Sequence, residues 1–74
     1  MNAISALREI MKIQSVGVNK LADRLGIKQN SLSMRLKQKS ISVEKLSETL
    51  RMLDYKIVLL PREARIPEGG FEVE

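Results

Sequence analysis

Apolar residues recur at helical spacing four times along the chain, and each recurrence is bounded by a residue that starts or stops a helix. Ile4, Leu7, Ile10 and Met11 form the first stripe, with Arg8, Glu9 and Lys12 outside it. This predicts a helix from Ala3 to about Gln14 with Asn2 as its N-cap. Ser15 to Gly17 break the pattern around an isolated Val16. Leu21, Ala22 and Leu25 then share one face of a second helix, with Gly17 at its N-cap and Gly26 where a helix needs a left-handed terminus. Ile27 follows, Lys28 to Ser31 are polar, and Leu32 with Leu36 gives a third helix, Gln29 to about Lys37, its own stripe. Gln29, Asn30, Ser33 and Met34 are left facing outward. After a polar loop from Gln38, Ser42 is a good N-cap supported by Glu44, and Val43, Leu46, Leu50 and Leu53 read as the buried stripe of a fourth helix.

Beyond Tyr55 the period changes. Lys56, Ile57, Val58, Leu59 and Leu60 read as a short β-strand that Pro61 stops, with Ile57 and Leu59 on one face and Val58 and Leu60 on the other. Arg62 to Gly70 read as a charged loop, and Phe71 and Val73 alternate with Glu72 and Glu74 like a weak second strand. The first strand can fold back on Phe71 to Glu74 as a hairpin, or pair with its copy in a second subunit as an antiparallel ribbon. A lone edge with two apolar faces favours the second arrangement. The expected fold is therefore mainly α: a small bundle of four helices over residues 1–55, with a C-terminal β-strand and tail over 56–74 as a dimerisation element.

Composition narrows the chemistry. The chain has 74 residues, enough for one domain with a modest core, and it contains neither Cys nor His. That removes disulfides, thiolate metal sites and the commonest general base, so neither an enzyme nor a metal or other cofactor is expected. Ile57 to Leu60 is far too short to span a bilayer, and the N-terminal segment lacks a secretory h-region. A soluble protein of the cytoplasm, without a membrane partner, is expected. The formal net charge is +4, unevenly placed: residues 1–40 carry eight basic side chains against two acidic, and residues 41–74 five against seven. The basic half is the half with the first three helices. A lysine-rich face is more often simple solvation than a binding site.

The stretch Val18 to Leu36, VNKLADRLGIKQNSLSMRL, resembles the helix-turn-helix of the phage repressor and Cro-like family, also called the XRE family. Leu21, Ala22, Leu25, Gly26, Ile27 and Leu32 stand at the motif's first core residue, small crossing residue, second core residue, turn glycine, following apolar residue and first core residue of the recognition helix. The pattern's last core position falls on Arg35, and the apolar residue arrives one place later at Leu36. Val18 stands where many relatives carry a Gln that touches a phosphate and braces the recognition helix. The resemblance implies a lambda-repressor-like bundle, with Val16 tucked into the core. The plain alternative is an ordinary helical hairpin in a small all-α domain.

In a helix-turn-helix the start of the recognition helix meets base edges in the major groove. On the implied role, Gln29 and Asn30 are the direct readers, because a side-chain amide pairs bidentately with adenine, and Ser33 and Met34 are further base contacts. Lys20, Lys28, Ser31, Arg35, Lys37 and Lys39 are the expected phosphate partners. Asn30 and Ser31 have a competing role as helix caps. Tyr55, Ile57, Val58, Leu59 and Leu60 form the expected dimer interface, and some antitoxin repressors of the family use a strand after the fourth helix in this way. The implied function is a sequence-specific transcriptional regulator of double-stranded DNA, most simply a homodimeric repressor reading an inverted repeat. The competing reading is an antitoxin-type module that binds a toxin protein and represses its own operon, which the acidic tail from Glu63 to Glu74 would suit.

Overall fold

A computed structural model describes all of residues 1–74 and contains four helices: α1 (Ala3–Gln14), α2 (Val18–Leu25), α3 (Gln29–Lys37) and α4 (Val43–Arg51). Their starts follow from local chemistry. Asn2 accepts a hydrogen bond from the Ser5 amide and Ser42 accepts one from the Lys45 amide, so α1 and α4 are capped by side chains. Gly17 and Lys28 occupy the same position at α2 and α3 without any side-chain cap.

Three of the four helix ends close in the same way. At each, one residue adopts the left-handed conformation (Ser15, φ 55°; Gly26, φ 70°; Asp54, φ 62°). The amide after it reaches back five residues: Val16 to Met11, Ile27 to Ala22 and Tyr55 to Leu50, at 2.8, 3.1 and 2.9 Å. With the shorter bonds Ser15 to Lys12, Gly26 to Asp23 and Asp54 to Arg51, each end is a Schellman motif. The residue after each reversal is apolar or aromatic and turns back onto the helix it ends, so the motif both stops the helix and seals the core edge. Val16 is buried by this turn, in the place expected for it.

One core lies between the helices. Leu7, Ile10 and Met11 of α1, Leu21 and Ala22 of α2, Leu32 and Leu36 of α3, and Leu50 and Leu53 around α4 form a single buried cluster with Val16. Each fully buried leucine contributes about 1.5–3 kcal/mol. The apolar pattern fails at one place in α4. Val43 is 66% exposed, because the buried line runs through Leu46, Thr49, Leu50 and Leu53 instead, and Thr49 is completely buried. Long side chains tie the helices together at their carbonyl ends: Arg8 donates to Leu36 O (2.8 Å), Gln14 to Leu53 O (2.8 Å) and Arg24 to Met52 O (3.2 Å).

The expected C-terminal strands are absent. Lys56 to Leu60 and Phe71 to Glu74 run as irregular chain, and the intrachain hairpin does not form. A strand needs a ladder partner, and the chain supplies none here: no backbone hydrogen bond joins residues 56–60 to any other segment. The tail returns by another route. Gly69, at φ 83°, completes a turn closed by the Gly70 amide on Pro67 O (2.9 Å). Phe71 then lands on Tyr55, with ring centroids 6.3 Å apart and planes at 48°, and the Glu74 amide bonds to Met1 O at 2.9 Å.

Two of the three left-handed positions carry a Cβ, which costs up to about 1–2 kcal/mol for a residue such as Ser. Ser15→Gly is expected to raise the free energy of unfolding by about 0.5–1 kcal/mol and Asp54→Gly by somewhat less. Gly26→Ala, where φ is 70°, should lower it by about 1 kcal/mol. Urea unfolding followed at 222 nm checks all three, and a destabilised Ser15→Gly would contradict the assignment of strain there.

Candidate nucleic-acid interface

The turn between α2 and α3 brings two helix N-termini side by side. Gln29, the first residue of α3, donates from Nε2 to Asn19 Oδ1 in the first turn of α2, at 3.2 Å. The first backbone bonds of these helices run from Leu21 to Gly17 and from Leu32 to Lys28. The amides of Val18 to Lys20 and of Gln29 to Ser31 precede those bonds and have no side-chain cap, so both positive helix ends offer free donors. Such an end accommodates an anionic oxygen directly.

Around this pair stand the predicted contact residues. Gln29, Asn30 and Ser31 are exposed, Ser33 is half-buried, and Met34 is 67% exposed. With 100° between successive residues, Asn30, Met34 and Lys37 share the outermost face of α3, opposite Leu32 and Leu36. α3 begins at Gln29 with no side chain capping it, so the competing capping role of Asn30 and Ser31 is not used. Lys20, Lys28, Lys37 and Lys39 are exposed and take no part in the chain's one ion pair.

Arg35 departs from its expected place among the phosphate contacts. It turns inward, its side chain only 12% exposed, and Nη1 donates to Thr49 Oγ1 at 2.9 Å and lies 3.7 Å from Glu48 Oε1. The physical reason is helical phase: Arg35 lies beside Leu36 and three residues after Leu32, on the flank of α3 that faces the core. It takes an inward position on α3, as a polar residue bonded to a polar partner. Thr49 in turn donates to Lys45 O at 2.7 Å, so its hydroxyl is used in both directions.

Two side chains at the site were not predicted, Asn19 and Thr49. Asn19 lies next to Val18 in the first turn of α2 and accepts from Gln29 across the turn. Thr49 had a signal: a polar residue in the apolar stripe of α4 pairs with a polar residue in the apolar stripe of α3. The expected dimer residues lie away from this face. Tyr55 is half-buried inside its own chain against Phe71, with its hydroxyl 3.4 Å from Gly69 O. Ile57, Val58, Leu59 and Leu60 are 39%, 57%, 93% and 44% exposed.

A cleft of about 950 Å³ separates this tail from α1 and α4, lined by apolar side chains including Ala6, Ile10, Leu46 and Val58, and includes no residue of α2 or α3. No group of three or more acidic side chains converges as a metal site would require. No helix is long and apolar enough to cross a membrane. Neither a family model, nor a curated protein, nor a solved structure matches this chain.

The free helix ends are open to measurement by amide hydrogen exchange. The Asn19, Lys20, Asn30 and Ser31 amides should exchange faster than those of Ser5 and Lys45, which side chains cap. Slow exchange at Asn30 and Ser31 would show that α3 is capped and closed to an anion.

Proposed function

We propose that this chain is a sequence-specific regulator of transcription that binds double-stranded DNA and acts in the cytoplasm as a dimeric repressor, reading an inverted repeat through α3. It is a binding protein and not an enzyme. One observation carries the reading: the uncapped N-termini of α2 and α3 are joined by the Asn19–Gln29 bond, beside an exposed row of side chains suited to base edges. Phosphate oxygens would take the free amides and Lys20, Lys28, Lys37 and Lys39, while Asn30 and Met34 enter the major groove. Gln29 gives one Nε2 hydrogen to Asn19 and keeps its other hydrogen and Oε1, the donor and acceptor that adenine N7 and N6 require. The helix-turn-helix resemblance of residues 18–36 points the same way.

The C-terminal run supports the dimer. Its backbone groups are unpaired and its side chains are exposed on both faces, so pairing of Ile57 to Leu60 with a second copy across a two-fold axis would satisfy both needs and create the strand. Two copies of α3 would then lie about one DNA turn apart, roughly 34 Å. The same exposed run favours a second reading, an antitoxin-type module that holds a toxin protein and regulates its own operon. A stoichiometric partner co-purifying with the chain would favour that reading.

Selection of bound sequences from a random duplex pool at near-physiological salt should enrich an inverted repeat with half-sites about one helical turn apart. No enrichment, with weak salt-sensitive binding to every sequence, would reject this function. Gln29→Ala should weaken binding to the selected site by about 1–3 kcal/mol and leave the salt slope nearly unchanged. Lys37→Ala should weaken all sequences alike and reduce the slope by about 1. Leu59→Lys, at the most exposed position of the run, should leave the helical content intact and yield a monomer in sedimentation equilibrium; a dimer that persists would place the interface elsewhere.

A further inference from the structure

The outward face of α3 reads bases only if its rotation about its own axis is fixed. A side-chain tip about 6 Å from the axis moves by roughly 2 Å when the helix turns by roughly 20°. Productive contacts need placement within about 0.5 Å. Leu32 and Leu36 alone leave that freedom, since an apolar stripe packs acceptably over a range of rotations. Two polar contacts flank the stripe on opposite sides. Near the start of α3, Gln29 bonds to Asn19 of α2; six residues later, Arg35 bonds to Thr49 of α4.

The second contact is the more constrained. α3 packs mainly on α2 and α1, and a long side chain is suited to reach from it to the polar positions of α4. Arg35 does so and meets a hydroxyl with no freedom of its own. Thr49 is completely buried, and its proton is directed to Lys45 O at 2.7 Å, which leaves its lone pair to accept from Arg35 at 2.9 Å. Glu48 at 3.7 Å holds the guanidinium's charge on the α4 side. The chain of bonds therefore runs from α3 through one hydroxyl into the α4 backbone, in a single direction and without slack.

We propose that Arg35 is a specificity-determining positioning residue: through Thr49 it locks the rotation of α3 and thereby decides which bases Asn30 and Met34 can reach. This role rests on the DNA-binding reading and makes Arg35 distinct from a phosphate contact, since its donors are turned from the outer face. Arg35→Met keeps the length and apolar stem but not the bond; Thr49→Val keeps the shape but not the acceptor; Thr49→Ser keeps the acceptor.

The test combines two measurements on the full chain. In the free protein, residual dipolar couplings of residues 29–37 report the orientation of α3 against α1. They should change in Arg35→Met and Thr49→Val and match wild type in Thr49→Ser. With the duplex selected by the wild type, Arg35→Met and Thr49→Val should lose about tenfold in discrimination against single-base variants at the half-site. Their affinity for random duplex and their salt slope should remain, and Thr49→Ser should keep wild-type discrimination. Folded Arg35→Met and Thr49→Val proteins with wild-type couplings and wild-type base preferences would overturn the role. A salt slope reduced by about 1 in Arg35→Met would also overturn it, by showing a direct phosphate contact. A wild type that selects no sequence removes the DNA reading itself and this role with it.

Discussion

Helices of eight or nine residues do not hold themselves in water, because nucleating each costs more than its few backbone bonds return. α2, α3 and α4 are that short, so each depends on burying one face in the cluster that Leu7, Leu21, Leu32 and Leu53 share. Everything on the outer surface inherits its position from that shared burial. The Schellman ends at Ser15, Gly26 and Asp54 make it efficient: each reverses the chain within two residues and returns a further apolar side chain to the core edge, so little sequence is used on connection.

The same economy explains how polar groups are distributed. Side chains satisfy some helix ends: Asn2 and Ser42 cap amides, and Arg8, Gln14 and Arg24 reach carbonyls on other segments. At the starts of α2 and α3 no side chain does so. An uncapped helix start forgoes about 1 kcal/mol, and only a few tenths of that where the cap is a glycine, as at Gly17. Two adjacent ones beside exposed lysines are a cost to folding that an anionic ligand would repay. Local conflict between stability and sequence choice concentrates where a protein meets its ligand.

Much of this was legible in the chain because the signals were local. Asn2, Gly26 and Ser42 act within one turn, and the 3.6-residue period of Ile4, Leu7, Ile10 and Met11 needs no knowledge of other helices, so helix positions followed directly. Val43 and Arg35 were misplaced for the opposite reason. Periodicity assigns a stripe but not its edges, and whether an edge residue is buried depends on the opposing helix. Thr49 and Arg35 each break an apolar pattern taken singly; only facing one another do they become a bonded pair. Asn19 was missed because its partner lies ten residues away across a turn.

The tail marks where local reading ends. Ile57 to Leu60 has strand composition, but composition supplies only half of a strand; the other half is a neighbour with complementary donors and acceptors. Within one chain that neighbour is missing. Tyr55 is held in its own domain by Phe71, which anchors the start of the run. A run anchored at Tyr55 and free over the next five residues can meet a two-fold mate without unfolding any helix. An apolar cleft beside it would remain poorly filled by a single chain. Solvent-exposed apolar runs are otherwise an aggregation hazard in a small basic protein. On the proposed reading, pairing falls to this segment and base recognition to α3, and the cleft beside the segment includes no residue of α2 or α3.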